Sequence, residues 1–231
     1  MNSENKRILV VAAHPDDEVL GCGGTISKLS KSGSDVYIAI LGEGITSRYD
    51  KRKDADLKLI EDLHEKSRRA SKILGAKDLF MFSLPDNRFD TVPFLDIVKI
   101  IEKLIEELKP SVIYTHYGGD LNIDHKITSR AVITSTRPIK DRPVKDIYAF
   151  EVPSSTEWAF GQYQGGFNPT AFMDVSKTLN MKLKAMQVYD SEMDSFPHPR
   201  SSKGLNALAQ YRGSSVGLEA AEGFEVVRKI N

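Results

Sequence analysis

Short β-branched and aromatic runs alternate with longer stretches in which apolar residues recur every three or four positions, and this alternation dominates the first half of the chain. The short runs predict strands over Arg7 to Ala13, Asp35 to Leu41, Asp78 to Ser83, Ser111 to His116, Asp146 to Val152 and Ala171 to Asp174. The longer ones predict helices over Val19 to Ser32, Asp56 to Leu74, Pro93 to Leu108, Asp124 to Thr136, Ser176 to Tyr189 and roughly Lys203 to Gly213. Gly33, Gly75 and Pro110 follow the first three helices, where the chain must leave helical geometry. Repeated βαβ units require right-handed crossovers. The expected fold is therefore α/β: a single Rossmann-like three-layer domain spanning residues 1–231, with a mostly parallel twisted sheet flanked by helices. The irregular segments Gly42 to Lys53, Pro85 to Thr91 and Pro153 to Pro169 are expected to surround the site.

Composition narrows the class. The 231 residues carry 32 basic and 32 acidic side chains, so the electrostatic footprint of a nucleic-acid binder is missing and no nucleic-acid partner is expected. The lone cysteine, Cys22, rules out an intramolecular disulfide, so a metal site here must be built from His and carboxylate. The polar start of the chain and the short apolar run from Ile8 to Ala13 fit neither a signal peptide nor a membrane span, and a cytoplasmic protein is expected. The sequence leaves a homo-oligomeric state open.

In open α/β sheets the ligand crevice lies beyond the carboxyl ends of the strands. The first strand runs into AHPDDE, residues 13–18, and the fourth into THYGGDLNIDH, residues 115–125. Both tips offer His and Asp. Catalytic zinc without thiolates takes three imidazole or carboxylate ligands and keeps a fourth position open. His14 and Asp17 are close enough in sequence to reach one ion across the turn that Pro15 restricts, and His125 would be the third ligand. Asp16, next to a ligand but free of the ion, can stay ionised within reach of water and act as general base. Glu18 opens the following helix, where a carboxylate complements the unpaired amides. Single features of this kind are commonly capping residues or ordinary polar side chains, and it is their pairing at two tips of one sheet that points to a site.

AHPDDEVLGCGGT, residues 13–25, closely resembles the signature of the LmbE-like, or PIG-L, family of zinc-dependent de-N-acetylases. LGEG at 41–44, THYGGDLNIDH and FNPTAFMDVS at 167–176 follow in the family's order. The resemblance implies Zn2+ held by His14, Asp17 and His125, with Asp16 as the catalytic base. It also implies a small N-acetylated amino sugar or sugar conjugate as substrate, cleaved by metal-activated water. Where many members carry a histidine three residues before the third ligand, this chain has Asn122, and His116 is a possible substitute. Asp124, Arg88, His198 and Arg200 complete the expected substrate-binding or supporting set. Each has a plain alternative: LPDNRFD at 84–90, with Asp86 and Arg88, also reads as an ordinary turn, and the loop FPHPRSS at 196–202 reads either as a lid or as a surface turn. The glycines at 21, 23 and 24 do not fit a nucleotide loop and suit close helix packing. Two competing functions are a non-haem iron oxygenase, which also uses two His and a carboxylate, and a non-catalytic carbohydrate- or nucleotide-binding module.

Overall fold

The computed structural model describes residues 6–139, 143–163 and 165–230. The polar start of the chain, residues 1–5, lies outside this set. Among the described residues seven strands form one sheet: β1 (Arg7–Ala12), β2 (Asp35–Gly42), β3 (Asp78–Leu84), β4 (Val112–His116), β5 (Asp146–Phe150), β6 (Ala171–Asp174) and β7 (Ala221–Arg228). Six helices accompany them: α1 (Asp17–Lys31), α2 (Leu57–Leu74), α3 (Phe94–Leu108), α4 (Ile123–Ser135), α5 (Leu179–Val188) and α6 (Ser202–Ser214). The strand order is β3-β2-β1-β4-β5-β7-β6. The first five strands are parallel, and β7 pairs antiparallel with both β5 and β6.

The three layers follow from the period of two along β1. Ile8, Val10 and Ala12 join a core with α1, α2 and α5, while Leu9, Val11 and Ala13 join a second core with α3 and α4. Connections leave β1 toward β2 on one side and reach β4 on the other, so the switch in strand order falls between the tips of β1 and β4. Among the described residues no helix is long and apolar enough to cross a membrane.

Every expected strand and helix is present within a few residues, and the structure adds one strand, β7. AEGFEVVR, residues 221–228, carries two glutamates and a glycine and shows no clean in-out alternation, because Glu222 is buried on the same footing as its apolar neighbours. Its insertion between β5 and β6 is what makes the sheet mixed. Helix α5 begins later than the pattern indicates, since Val175 to Thr178 forms a turn in which the Thr178 hydroxyl donates to Gly24 O at 2.8 Å.

Helix α1 carries the second surprise: it breaks at Cys22, whose φ of −148° and ψ of 27° are not helical. The break is filled by an ion pair. Lys182 of α5 donates to Leu20 O at 2.8 Å and to Glu222 Oε1 at 2.7 Å, while Glu222 accepts from the amides of Gly24 at 3.0 Å and Thr25 at 2.7 Å. One side chain thus satisfies the end of the first half-helix and the other caps the start of the second. Packing explains Gly21, since a Cβ there would lie 2.2 Å from the Phe150 ring on β5.

Candidate active site

At the switch point β1 ends and the chain turns through His14 and Pro15 into Asp16, which has φ 98°, a left-handed conformation held at a cost of about 1–3 kcal/mol in a non-glycine residue. Glu18 sustains it by accepting the Asp16 amide at 3.1 Å with one oxygen and the Tyr189 hydroxyl at 2.8 Å with the other. Burial pushes the Glu18 carboxyl up to about 7. The turn directs Asp17 inward, where its Oδ2 accepts the His14 amide at 2.8 Å and lies 3.3 Å from His14 Nδ1 and 3.2 Å from His125 Nε2. His125 arrives from the first turn of α4, a helix capped by Asn122, whose side chain accepts the Asp124 amide at 2.8 Å. Ligand atoms of His14, Asp17 and His125 all lie within 4.8 Å of one another. The two tips singled out by the sequence therefore meet.

Carboxylates stand behind both imidazoles. Asp124 Oδ2 lies 2.9 Å from His14 Nε2, and its other oxygen accepts the Phe89 amide at 2.9 Å. Asp120 Oδ1 lies 3.1 Å from His125 Nδ1 and accepts from the Ser155 hydroxyl and the Asn122 amide, while Oδ2 accepts from the Thr156 hydroxyl. Each pairing engages the far nitrogen of its ring and leaves the near one turned toward Asp17, which is how metal-binding histidines are oriented. Asp120 has no role in the sequence reading. The signal was present in Asp-x-x-x-Asp-His, but nothing in spacing alone says that the first acid of that string reaches the last residue.

The electrostatics call for a positive occupant. Burial alone would lower His125, yet Asp17 and Asp120 raise it to about 9. His14 is likewise raised against desolvation by Asp124, Asp17 and Asp86. Burial would raise Asp17, but the imidazoles of His125 and His116 and the bonds from His125 and His14 hold it well below the usual carboxylate range. Asp120 is brought down to about 2, its desolvation outweighed by His125 and the two hydroxyls. A divalent cation among these groups would satisfy the same carboxylates that otherwise draw protons onto the rings, so the donor set fits a metal ion. Asp16 differs: desolvation raises its carboxyl well above the ordinary value, opposed by the Arg200 guanidinium, which donates to Oδ2 at 2.7 Å.

The pocket around this cluster has a volume of about 590 Å³. All three irregular segments contribute to it, through Ser47 and Arg48, Asp86 and Asn87, and Ser154, Ser155 and Trp158. Of the remaining expected residues, Asn122 and Arg200 line it, and Asp124 supports it from behind His14. Three expected residues do not line the pocket. Arg88 is exposed and outside the pocket, because the turn sends the preceding Asp86 inward instead: Asp86 is buried, binds Ser47 at 2.6 Å, and lies 3.3 Å from His14 Nε2. His116 lies beneath the cluster, its Nε2 3.6 Å from Asp17 Oδ2. Fully buried, it accepts the Ala13 amide at Nε2 over 2.8 Å and stacks under His125 with ring centroids 4.0 Å apart, and burial with the neighbouring His125 lowers it to about 3. His198 does not line the pocket either, as its Nδ1 accepts the Arg200 amide at 3.2 Å and its ring meets Trp158 edge-on.

The supporting carboxylates give the first test. Asp124→Asn and Asp120→Asn are expected to weaken metal affinity by about 10–100-fold each. Competition against a chromophoric chelator measures this, and unaltered affinity in both variants would contradict the arrangement.

Fold and pocket define an α/β enzyme with a cation-competent cluster at the switch point of its sheet. The family model described as PIG-L: GlcNAc-PI de-N-acetylase matches residues 9–136, and the chain belongs to that family. A probable N-acetyl-alpha-D-glucosaminyl L-malate deacetylase 2 of Bacillus cereus is 31% identical over 87% of this chain and 90% of its own length. The diacetylchitobiose deacetylase of Thermococcus kodakarensis is 28% identical over 97% of this chain and 84% of its own. Among solved structures, the N,N'-diacetylchitobiose deacetylase of Pyrococcus horikoshii has the same fold, with a TM-score of 0.78 over 96% of this chain and 84% of that one at 20% identity.

Proposed function

We propose that this N-deacetylase, acting as one domain over residues 1–231, removes the acetyl group from an N-acetylglucosamine-type sugar or conjugate with Zn2+ held by His14, Asp17 and His125. The convergence of those three side chains within 4.8 Å, in a chain of this family, carries the reading. The ion would polarise the acetamide carbonyl and make a nearby water acidic enough to lose a proton near neutral pH. Asp16 takes that proton, its carboxyl poised upward by burial as a base working near neutrality requires. Arg200 holds one oxygen of Asp16, and through its 2.7 Å bond to Ser154 it fixes the direction in which the carboxylate faces. Asp16 also returns the proton to the departing amine. The histidines leave that task to it: His14 and His125 are the ligands, His116 is committed to Ala13, and His64 and His198 do not line the pocket. The lone buried Cys22 is consistent with a reducing, cytoplasmic setting.

The experiment is a primary-amine release screen over N-acetylated sugars, run on protein purified without added metal, with metal content measured in parallel. Zinc near stoichiometry and release abolished by a chelator and restored by zinc are expected. Full release from metal-free protein would refute the assignment, and iron with oxygen uptake would favour an oxygenase instead.

A further inference from the structure

A tyrosine at the end of α5 is more polar than its surroundings require. Tyr189 is fully buried in the core that also holds Val19, Leu63 and Leu205, where a phenylalanine ring would fill the same space. Burying a hydroxyl is unfavourable unless it is hydrogen-bonded, so the extra oxygen calls for an explanation. It donates to Glu18 Oε1 at 2.8 Å, and Ser67 of α2 hydrogen-bonds the same phenol. Glu18 is itself fully buried, and its Oε2 accepts the Asp16 amide at 3.1 Å. Neither Tyr189 nor Glu18 lines the pocket. Contact with substrate therefore does not account for this string of buried polar groups; what it reaches is Asp16.

Asp16 is held from three directions. Its carbonyl accepts the amides of Val19 at 3.0 Å and Leu20 at 2.9 Å, which starts α1. Its Oδ2 accepts from Arg200 at 2.7 Å, which fixes one carboxylate oxygen. The peptide that enters the residue is left to Glu18. A non-glycine residue keeps a φ of 98° only where its surroundings impose it, and the bond to Glu18 is what engages the amide in that conformation. Relaxation of the peptide would swing the carboxylate away from the pocket centre. A displacement of about 1 Å in a reacting group can cost about 100-fold in rate.

We propose that Tyr189 is a positioning residue for the base: through Glu18 its hydroxyl holds the Asp16 amide, and with it the left-handed turn that sets where the carboxylate faces. This rests on the reading of Asp16 as the base of a deacetylase, and its test separates the two. Tyr189→Phe removes one oxygen and keeps the ring. The variant is expected to lose about 10–100-fold in kcat for amine release, with KM and metal content as in the wild type. In an Asp16→Asn background the same change should cost nothing further, because the group it positions is gone. A tyrosine that only stabilises the core lowers Tm and leaves the kcat of the folded protein unchanged, and that result overturns the assignment.

A readout independent of turnover is the exchange of the Asp16 amide with solvent, followed by NMR. Tyr189→Phe should speed it by about tenfold while amides of the central strand β4 exchange as before. Where the wild type releases no amine from any N-acetylated sugar and this exchange still accelerates in the variant, Tyr189 keeps its hold on the turn and the deacetylase reading falls. Where the wild type is active and the variant matches it in both kcat and exchange, the deacetylase reading stands and the positioning role falls. Should Tyr189→Phe fail to fold, Glu18→Gln carries the test: a single amide oxygen cannot accept from both the Asp16 amide and the Tyr189 hydroxyl. Its kcat should then fall as well, with no further loss on Asp16→Asn, and wild-type kcat in Glu18→Gln overturns the proposal.

Discussion

Asp16→Asn is expected to bind metal as the wild type does and to lose about 10²–10⁴-fold in kcat, the span that a positioned general base contributes, or about 3–5 kcal/mol of barrier. Asparagine is the informative substitution because it tolerates the left-handed φ of 98° at this position, so the turn that aims Asp17 keeps its shape. Its amide can still meet Arg200 but cannot accept a proton from water at neutral pH. Asp16→Ala should show the same kinetic loss plus a lowered stability, since alanine is strained at that φ. Metal content by atomic absorption, single-turnover rates and urea unfolding distinguish these effects. Turnover within a few-fold of the wild type in Asp16→Asn would remove the residue from proton transfer.

Legibility of the chain in its sequence followed the range of the interactions involved. Where one element's own pattern decides, as in the alternating β1 or the periodic α3, expectation and structure agree within a few residues. The convergence of His14, Asp17 and His125 was legible because parallel topology predicts which strand tips meet, and both tips carried distinctive chemistry. Interactions chosen by tertiary contact were not. Asp120 reaches His125 only because Ser155 and Thr156, some 35 residues on, hold its carboxylate in place. Arg200 reads as a substrate-gripping group in a loop until the fold brings it 184 residues back onto Asp16. Strand β7 was hidden for a related reason, since Glu222 marks a solvent face by its type and is buried by its partners.

Those partners make Glu222 and Lys182 the place where a single change should damage folding most. Lys182 and Glu222 are 4% and 5% exposed, so removing one charge leaves the other buried without compensation, a loss of about 3–5 kcal/mol. For a chain of this length that corresponds to a fall in Tm of roughly 6–20 °C. Lys182→Met tests the cation and Glu222→Gln the anion, and urea unfolding or calorimetry reads both. A buried ion pair replaced whole by apolar groups is commonly neutral, so a simple pair would be rescued in Lys182→Met/Glu222→Leu. Here rescue should be incomplete, because the pair also satisfies three backbone groups at the break in α1: Leu20 O, Gly24 N and Thr25 N. Full recovery in the double variant would show that these groups find other partners and that the pair serves only itself. Failure to recover places the splice of α1, and with it the half-helix that begins at Asp17, under the control of β7 and α5.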